Sequence, residues 1–203
     1  RIKSVLLTHL HSDHISDLPN LHQGVWIMAD RKDKLKVFGP EGVERVTEGI
    51  EMAYGPDYGF RHEHHGDDVA PKQYAGFNTK AIDLNNPEVV DTGDLKITAF
   101  KVIHEPIEPS LGFKFEYKDR SLVITGDTSY AQSVIDNSTN VDVLFHEAQA
   151  NHMVEVIENF SKENGAMLRA KVMADIKTYH TTLIEAAEIA NKAQVKQLVF
   201  YHS

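Results

Sequence analysis

The amino-acid sequence predicts a layered domain in which helices cover β-sheets, of the α/β or α+β class. Two observations predict it: residues 77–125 have a β pattern, and the residues after them alternate between helical and strand patterns. Chains with this order of elements bury the apolar face of each sheet beneath helices. With 203 residues, 41% of them apolar, the chain is long enough to form a core. No repeat or linker is visible, so the simplest interpretation is one domain over residues 1–203.

The first part of the chain has apolar spacing typical of two strands and two helices. The strands are predicted at residues 5–7 and 34–38, and the helices at residues 15–30 and 41–54. Pro19 should lie in the first turn of the earlier helix, where its missing N–H has no helical partner to lose. Residues 55–75 are rich in Gly, Pro, His and Asp and are predicted to be loop or irregular structure.

The remaining elements are separated by turn residues and helix signals. Strands are predicted at residues 77–84, 88–91, 95–103, 111–117, 120–125, 141–145 and 197–201, with hairpin turns at Thr92-Gly93-Asp94 and Lys118-Asp119-Arg120. Helices are predicted at residues 129–137, at 150–179 with a break near Asn164-Gly165, and at 182–193. Thr181 or Thr182 is the expected N-cap of the last helix, and Glu185 is placed to complete a capping box.

Composition excludes several classes of protein. No run approaches the ~20 apolar residues of a transmembrane helix, and the chain begins like a strand rather than a signal peptide. The natural N-terminus is expected to lie outside this sequence, so a cytoplasmic or a periplasmic location stays open. Cysteine is absent, which excludes disulfides and thiolate ligands. The net charge of −9 argues against non-specific binding to nucleic acid, which depends on Lys and Arg.

The main chemical signal is Thr8-His9-Leu10-His11-Ser12-Asp13-His14, directly after a predicted strand. His9 and His11 are two positions apart in the sequence, so in an extended chain their side chains lie on one face and can bind one metal ion. Asp13 and His14 fall where the chain turns toward a helix and can face a second ion. Imidazole and carboxylate donors suit zinc, with iron or manganese as other occupants. The alternative is a polar surface loop that happens to hold three histidines.

This segment matches the HxHxDH signature of the metallo-β-lactamase superfamily, and similar partner motifs follow in order. They are Val102-Ile103-His104, Gly126-Asp127-Thr128 and Tyr201-His202-Ser203. The HxHxDH run is highly specific, whereas each later motif alone is weak evidence. The resemblance extends from the first residue to the last.

The resemblance implies a four-layer αββα sandwich, from which this chain is expected to lack the N-terminal strands. It implies a two-zinc centre in which a hydroxide shared by the ions attacks the substrate. One ion would be held by His9, His11 and His104, the other by Asp13, His14 and His202, with Asp127 between them. Asp13 would also orient the hydroxide. Relatives that reduce oxygen resemble HxExDH, so His11 favours hydrolysis.

Two further motifs resemble the ribonuclease Z and arylsulfatase-like branch: His146-Glu147-Ala148 and His180-Thr181-Thr182. In that branch the histidine matching His180 is expected to protonate the leaving group, which suits an imidazole near neutral pH. The alternative is that His180 only caps the following helix. Glu147 is expected to orient a histidine rather than to act as the acid itself.

The substrate interpretation depends on the connection between His104 and Asp127. Ribonuclease Z proteins similar to this chain insert a tRNA-gripping arm there, whereas here 22 residues separate the two, which a hairpin fills. The favoured substrate is therefore a small anionic molecule, a phosphodiester or a sulfate ester. A ribonuclease Z-like endonuclease for tRNA 3′ ends is the alternative. A lactone or thioester hydrolase and a non-catalytic binding protein are further alternatives.

Two segments are candidates for specificity. Arg61, His62 and His65, with His64 between them, could bind a phosphate or sulfate group. Alternatively, the neighbouring aromatic residues pack the segment down, and these polar side chains make surface contacts. Residues 149–179 are expected to form a lid or a homodimer contact, and His152 has no assigned role.

Overall fold

The computed structural model describes residues 2–29 and 31–202, which form two compact units, residues 1–83 and 84–203. The strands are β1 (Ser4–Leu6), β2 (Leu35–Gly39), β3 (Phe77–Ala81), β4 (Glu88–Asp91), β5 (Leu95–His104), β6 (Ile107–Tyr117), β7 (Arg120–Ile124), β8 (Val143–Glu147) and β9 (Gln197–Tyr201). The helices are α1 (Ser12–Ile15), α2 (Leu18–Met28), α3 (Val43–Val69), α4 (Gln132–Ser138), α5 (Asn151–Glu163), α6 (Met167–Ile176) and α7 (Leu183–Lys192).

The first unit is built on a parallel sheet, called here the first sheet, whose described strands run in the order β1-β2-β3. Val5 pairs with Val37, and Val37 pairs with Thr79 on the other side, so β2 is the central strand. The side chains of Leu35 and Val37 are buried with Val25 of α2 and Phe77 of β3. Parallel strands need helical connections, and α2 and α3 supply them.

The loop predicted over residues 55–75 is wrong for most of its length. Helix α3 continues through Pro56 as far as Gly66, whose φ of 65° and ψ of −171° interrupt the helical geometry. The aromatic packing explains the difference, because the Tyr58 ring lies 5.3 Å from the ring centroids of both Trp26 and His22. Burial of these rings against α2 offsets the helix-breaking tendency of the sequence.

The helix predicted over residues 15–30 forms as α1 and α2, with Pro19 in the first turn of α2 as expected. Its predicted last residue, Asp30, lies outside the described residues, as does Ser203 of the final motif. The strand predictions in this unit agree with β1, β2 and β3 to within a few residues.

The second unit contains a mixed sheet, called here the second sheet, with the described strands in the order β4-β5-β6-β7-β8-β9. Strands β4 to β7 pair antiparallel, whereas β7, β8 and β9 are parallel to one another. The predicted turns are confirmed: Thr92 bonds back to Leu95, and Lys118 links β6 to β7 with a φ of 54°. The carboxyl ends of β7, β8 and β9 therefore lie side by side at the same end of the sheet.

Helices α4 and α7 cover one face of the second sheet. The core beneath them includes Val123, Leu144 and Ile189, each fully buried. Thr182 is the N-cap of α7, and its capping box with Glu185 confirms the sequence prediction. The predicted break in the helical stretch 150–179 also forms, between α5 and α6. Within residues 2–29 and 31–202, no helix combines the length and the apolar character needed to cross a bilayer.

Candidate metal centre

In the first unit, His9 and His11 follow β1 directly. The amide of Leu7 still donates to Phe38 O, at 2.8 Å, and the histidine-rich segment follows it. His9 is fully buried, and its Nδ1 lies 3.1 Å from the Thr8 hydroxyl. Its other nitrogen, Nε2, lies 3.1 Å from Nδ1 of His11. The hydroxyl thus orients the His9 ring so that Nε2 points toward His11.

This spacing fits a shared metal ion. Two nitrogens bound to one tetrahedral zinc ion at 2.0–2.1 Å lie roughly 3.3–3.4 Å apart. The separation of 3.1 Å between His9 Nε2 and His11 Nδ1 is close to that value. Both side chains come from positions two apart between β1 and α1, and His11 has an extended backbone with φ −62° and ψ 148°.

Asp13 and His14 belong to α1, one short turn after His11. The ring of His14 lies 4.1 Å from that of His9, and its Nε2 lies 3.4 Å from Oδ2 of Asp13. The side chain of Asp13 is 67% exposed. The first unit therefore gathers all four ligand-capable residues predicted from the motif.

In the second unit, Asp127, Glu147 and His202 lie at the carboxyl ends of β7, β8 and β9. Nδ1 of His202 is 3.4 Å from Oδ1 of Asp127, and one ligand atom each from Asp127, His180 and His202 lies within 4.8 Å of the others. His202 has a φ of 54°, in the left-handed region that few non-glycine residues adopt. Such backbone conformations cluster at functional sites.

His104 ends β5 and is 2% exposed. Its Nδ1 donates to the main-chain carbonyl of Tyr179, at 3.2 Å, so Nε2 is the ring atom that could bind a metal ion. A ring N–H bonded to a carbonyl is the usual support of a metal-binding histidine. Its ring centroid lies 5.4 Å from that of His180. The second unit thus places His104 beside His180, which in turn lies close to Asp127 and His202.

Glu147 holds His180 in place. Nδ1 of His180 donates to Glu147 Oε1 at 2.9 Å, and the amide of Thr128 donates to the same oxygen at 2.9 Å. Burial raises the pKa of the fully enclosed Glu147 carboxyl, and the bonds from His180 and Thr128 oppose that rise. The alternative that His180 only caps a helix is wrong, because Thr182 is the cap of α7.

Three residues that support these side chains were not predicted. The Thr181 hydroxyl donates to the Thr128 carbonyl at 2.5 Å, and the Thr128 hydroxyl accepts from the amide of Ile103 at 3.1 Å. Tyr179 contributes its carbonyl to His104, and its ring lies 4.8 Å from that of His180. Thr128 and Thr181 belong to the predicted motifs and Tyr179 directly precedes one, and these positions are the signal from which their supporting roles could have been inferred.

Arg61, His62 and His65 lie on helix α3 rather than in a loop. The Arg61 guanidinium pairs with Asp57 at 2.7 Å, one helical turn earlier, and His62 Nδ1 lies 3.0 Å from the carbonyl of Ala70. His65 is exposed and stacks edge-on with His64. Binding of an anion by these three residues stays a prediction.

The donors collected in the two units are imidazole nitrogens and carboxylate oxygens, the set that binds zinc and similar divalent ions. A sequence profile described as the β-lactamase superfamily domain matches residues 1–203. The chain therefore belongs to the metallo-β-lactamase superfamily, a family of metal-dependent hydrolases, and has its mixed α/β fold.

One relative and two solved structures are similar to this chain over nearly its whole length. A ribonuclease Z of Mycobacterium marinum is 30% identical over 203 residues, which cover 99% of this chain and 67% of that protein. The human tRNase Z short form has a TM-score of 0.67 at 22% identity, covering 100% of this chain and 73% of that one. The metallo-β-lactamase fold protein YhfI of Bacillus subtilis has a TM-score of 0.63 at 20% identity, covering 98% of this chain and 64% of that one. The chain thus spans about two thirds of the length of these relatives.

Proposed function

We propose that this chain belongs to a two-zinc phosphodiesterase of the ribonuclease Z type, which cleaves precursor tRNA near its 3′ end. The identity to ribonuclease Z proteins supports the substrate class. The single structural observation behind the proposal is the pair formed by His180 and Glu147 beside Asp127 and His202. A histidine positioned by a buried carboxylate next to metal donors suits protonation of a leaving alkoxide.

The proposed zinc ligands are those that the motifs imply: His9, His11, Asp13 and His14 from the first unit, and His104, Asp127 and His202 from the second. Within the first unit, the 3.1 Å between His9 Nε2 and His11 Nδ1 supports a shared ion. Within the second unit, the 3.4 Å between His202 Nδ1 and Asp127 Oδ1 supports binding of one ion by these two side chains. Zinc, when bound, would lower the pKa of a coordinated water toward neutrality and polarise the scissile phosphate.

The chain's own residues would supply the remaining chemistry. His180 would donate a proton from Nε2 to the leaving oxygen, since its Nδ1–H is held by Glu147 at 2.9 Å. Glu147 would fix the tautomer and the angle of that ring, as predicted for an orienting carboxylate. Asp13, whose side chain is 67% exposed, would orient the attacking water, as the motif implies.

A small-molecule phosphodiester or sulfate ester is the second candidate substrate. Strands β6 and β7 take up almost all of the connection between His104 and Asp127, so no arm for tRNA is inserted there. The net charge of −9 favours this candidate as well. However, the match to the mycobacterial ribonuclease Z runs over 203 residues and includes 99% of this chain, which leaves little room for a long insertion in that relative either.

A substrate panel distinguishes these candidates. The purified, zinc-loaded chain is offered precursor tRNA with a 3′ trailer, a bis-aryl phosphodiester, an aryl sulfate, a lactone and a β-lactam. The proposal predicts endonucleolytic cleavage of the tRNA and turnover of the phosphodiester. Turnover of the small esters without cleavage of the tRNA would favour the second candidate, and activity confined to the lactone or the β-lactam would refute both.

Replacing Asp127 by Ala removes a buried carboxylate that would hold zinc. We expect bound zinc, measured by elemental analysis, to fall from two ions toward one or none per chain, and turnover to fall by ~10²-fold or more. Asp136→Ala, on the exposed face of α4, is the control and should keep both metal and activity. Full zinc content in the Asp127 variant would contradict the ligand assignment.

A further inference from the structure

The backbone of Gln149 is held beside the segment that carries His180. The main-chain amide of Gln149 donates to the Thr181 carbonyl at 2.7 Å, and the residue pairs with Thr182 as an isolated parallel bridge. These two threonines directly follow His180 in the chain. Gln149 therefore has a fixed position next to the proposed proton donor.

Two hydrogen bonds hold the side chain of Gln149. Its Nε2 donates to Oδ1 of Asn151 at 2.7 Å and to the main-chain carbonyl of Ile176 at 3.4 Å. A main-chain carbonyl can only accept a hydrogen bond, so the atom that faces it must be the amide nitrogen and not the amide oxygen. Both N–H groups of the carboxamide are thereby used. Among residues 2–29 and 31–202, none donates a hydrogen bond to its Oε1.

A cavity of about 300 Å³ lies against this carboxamide, within the second unit. It is lined by Gln149, Ile176, His180 and His202. Its volume is at the lower end of the range for sites that bind small ligands or parts of larger ones. His180 and His202 belong to the candidate metal centre, so the cavity adjoins the atoms that would react. Gln149 Oε1 is the acceptor that its side chain can offer to a molecule in that space.

The reaction determines which part of the substrate lies in the cavity. Hydrolysis joins the oxygen of water to phosphorus and breaks the bond between phosphorus and the leaving oxygen, which takes its proton from His180. The sugar that carries the leaving oxygen therefore lies beside His180. In RNA the leaving oxygen is either the 5′ or the 3′ oxygen of a ribose, and only the 3′ oxygen has a hydroxyl on the neighbouring ring carbon.

That neighbouring hydroxyl is the hydrogen-bond donor that Gln149 lacks. Oε1 can only accept, and the 2′ hydroxyl is the donor nearest to a 3′ leaving oxygen. Gln149 is partly buried and the His180 side chain is 12% exposed, so an unpaired carboxamide oxygen here has little water to compensate it. The 2′ hydroxyl is also the group by which proteins distinguish RNA from DNA at a given position.

We propose that Gln149 is a specificity-determining residue, which accepts a hydrogen bond from the 2′ hydroxyl of the ribose that carries the leaving 3′ oxygen. Ile176 forms the apolar wall against which the same nucleoside packs. This inference rests on the proposed function, because it names the part of the RNA that the same site recognises. It requires that cleavage leave a 3′ hydroxyl on the 5′ fragment and a 5′ phosphate on the 3′ fragment.

Changes to the substrate test the contact in the unaltered protein. The zinc-loaded full chain is given precursor tRNA in which the nucleotide on the 5′ side of the scissile phosphate carries a 2′ hydroxyl, a 2′ fluorine or a 2′ hydrogen. Fluorine withdraws electrons from the leaving oxygen at least as strongly as a hydroxyl does, but it cannot donate a hydrogen bond. We expect kcat/KM to fall by about tenfold or more for both replacements. Equal values for hydroxyl and fluorine would overturn the proposal.

Gln149→Met removes the carboxamide and keeps the length of the side chain. With the hydroxyl and fluorine substrates it completes a double-mutant cycle between protein and RNA. The variant should cleave the hydroxyl substrate about tenfold or more slowly than the wild type, and the fluorine substrate at the wild-type rate or faster. An equal loss with both substrates would mean that Gln149 does not contact the 2′ hydroxyl.

Gln132→Met on α4 is the matched control. Gln132 is exposed, and its Nε2 donates to Asp136 at 2.8 Å on the same helix. This variant should keep both the rate and the preference of the wild type. Gln149→Glu is a second, conservative variant, because a carboxylate keeps an acceptor at the same position. It should retain the preference for hydroxyl over fluorine, whatever its absolute rate, and equal cleavage of the two substrates would contradict the contact. Zinc content and the midpoint of thermal unfolding identify any variant that is misfolded.

The outcomes separate this inference from the proposed function. Cleavage of precursor tRNA at one rate for all three sugars would leave the proposed function intact and would overturn only the role of Gln149. A 5′ fragment that ends in a phosphate would show that the 5′ oxygen leaves, and would overturn that role as well. Failure to cleave any precursor tRNA would refute both.

Discussion

At the scale of single residues, Glu147 connects three motifs of the second unit. One of its oxygens accepts hydrogen bonds from the His180 ring and from the Thr128 amide, next to Asp127. The Thr181 hydroxyl donates to the carbonyl of the same Thr128, so the two threonines and Glu147 form one hydrogen-bond network. A buried carboxylate in such a network acts mainly by fixing the geometry of its donors.

Glu147→Gln should reduce turnover far more than substrate binding. The amide cannot hold the His180 N–H as strongly, so we expect kcat to fall by ~10²-fold or more and KM to change little. Circular dichroism and zinc content should show a folded, metal-loaded protein. Glu158→Gln is the control, a second buried glutamate of the same unit that pairs with lysines, and its kcat should stay unchanged. An equal loss of kcat in both variants would indicate a general loss of structure.

His22 gives the first unit a dependence of stability on pH. Its side chain is 1% exposed, its Nε2 accepts from the Gly76 amide at 2.8 Å, and burial lowers its pKa from 6.5 to about 4. The unfolded chain therefore binds more protons than the folded chain between these values. The stabilisation is complete above pH 6.5 and is lost as the pH falls toward 4.

Urea unfolding at pH 7 and pH 5 measures this dependence. For His22 alone we expect the free energy of unfolding to decrease by about 2 kcal/mol over that interval. His22→Gln should be less stable at pH 7 but should lose correspondingly less on acidification. A variant with the same pH dependence as the wild type would show that His22 is not the titrating group.

At this scale the sequence identified the histidines and carboxylates that the structure groups together and the carboxylate of Glu147 that orients His180, but not the hydroxyl and carbonyl groups that support them. His9 and His11 stand out because their residue types and spacing have few structural uses. Thr181 and Tyr179 act through a hydroxyl and a carbonyl on partners 53 and 75 residues away. Almost any residue offers a carbonyl, so residue type alone does not identify it.

At the scale of elements, the sequence predicted the features that depend only on residues close together in the chain. The capping box of α7 needs only Thr182 and Glu185, three residues apart, and it forms as predicted. Helix α3 shows the opposite case, because Gly55 and Pro56 predicted a loop where the structure has a helix. The packing of Tyr58 on Trp26 comes from residues more than thirty positions apart, and no local pattern contains it.

Gly112 in β6 is required by the strand beside it. It pairs directly with Phe100 of β5, and a Cβ at position 112 would collide with the Phe100 ring. Gly112→Ala should lower the free energy of unfolding by about 1–3 kcal/mol, as in other overpacked cores. Adding Phe100→Leu should restore part of the loss, which a double-mutant cycle measures.

The control for this prediction is Gly49→Ala on α3, where nothing beyond the neighbouring backbone of the helix itself lies within 4 Å of the added methyl group. Alanine is the better helix former there, so the variant should be equally or slightly more stable. A similar loss of stability at both positions would contradict the assigned collision.

At the scale of the whole molecule, charge separates the two candidate substrates. A chain with a net charge of −9 repels RNA except where lysines and arginines are locally concentrated. If precursor tRNA is the substrate, kcat/KM for it should fall by about tenfold or more between 50 and 200 mM salt, while hydrolysis of the bis-aryl phosphodiester should change little. Equal salt dependence for both substrates would count against a tRNA-binding surface.

The arrangement of the second sheet has a practical consequence for altering this protein. Asp127, Glu147 and His202 all follow the carboxyl ends of parallel strands, so the turns at the opposite edge, around Asp119, Asn140 and Lys196, lie at the other ends of those strands. Peptide tags or reporter domains inserted at these turns should leave the chemistry intact, because exposed turns tolerate added chain. The same edge is where natural variants of this chain would be free to differ in length.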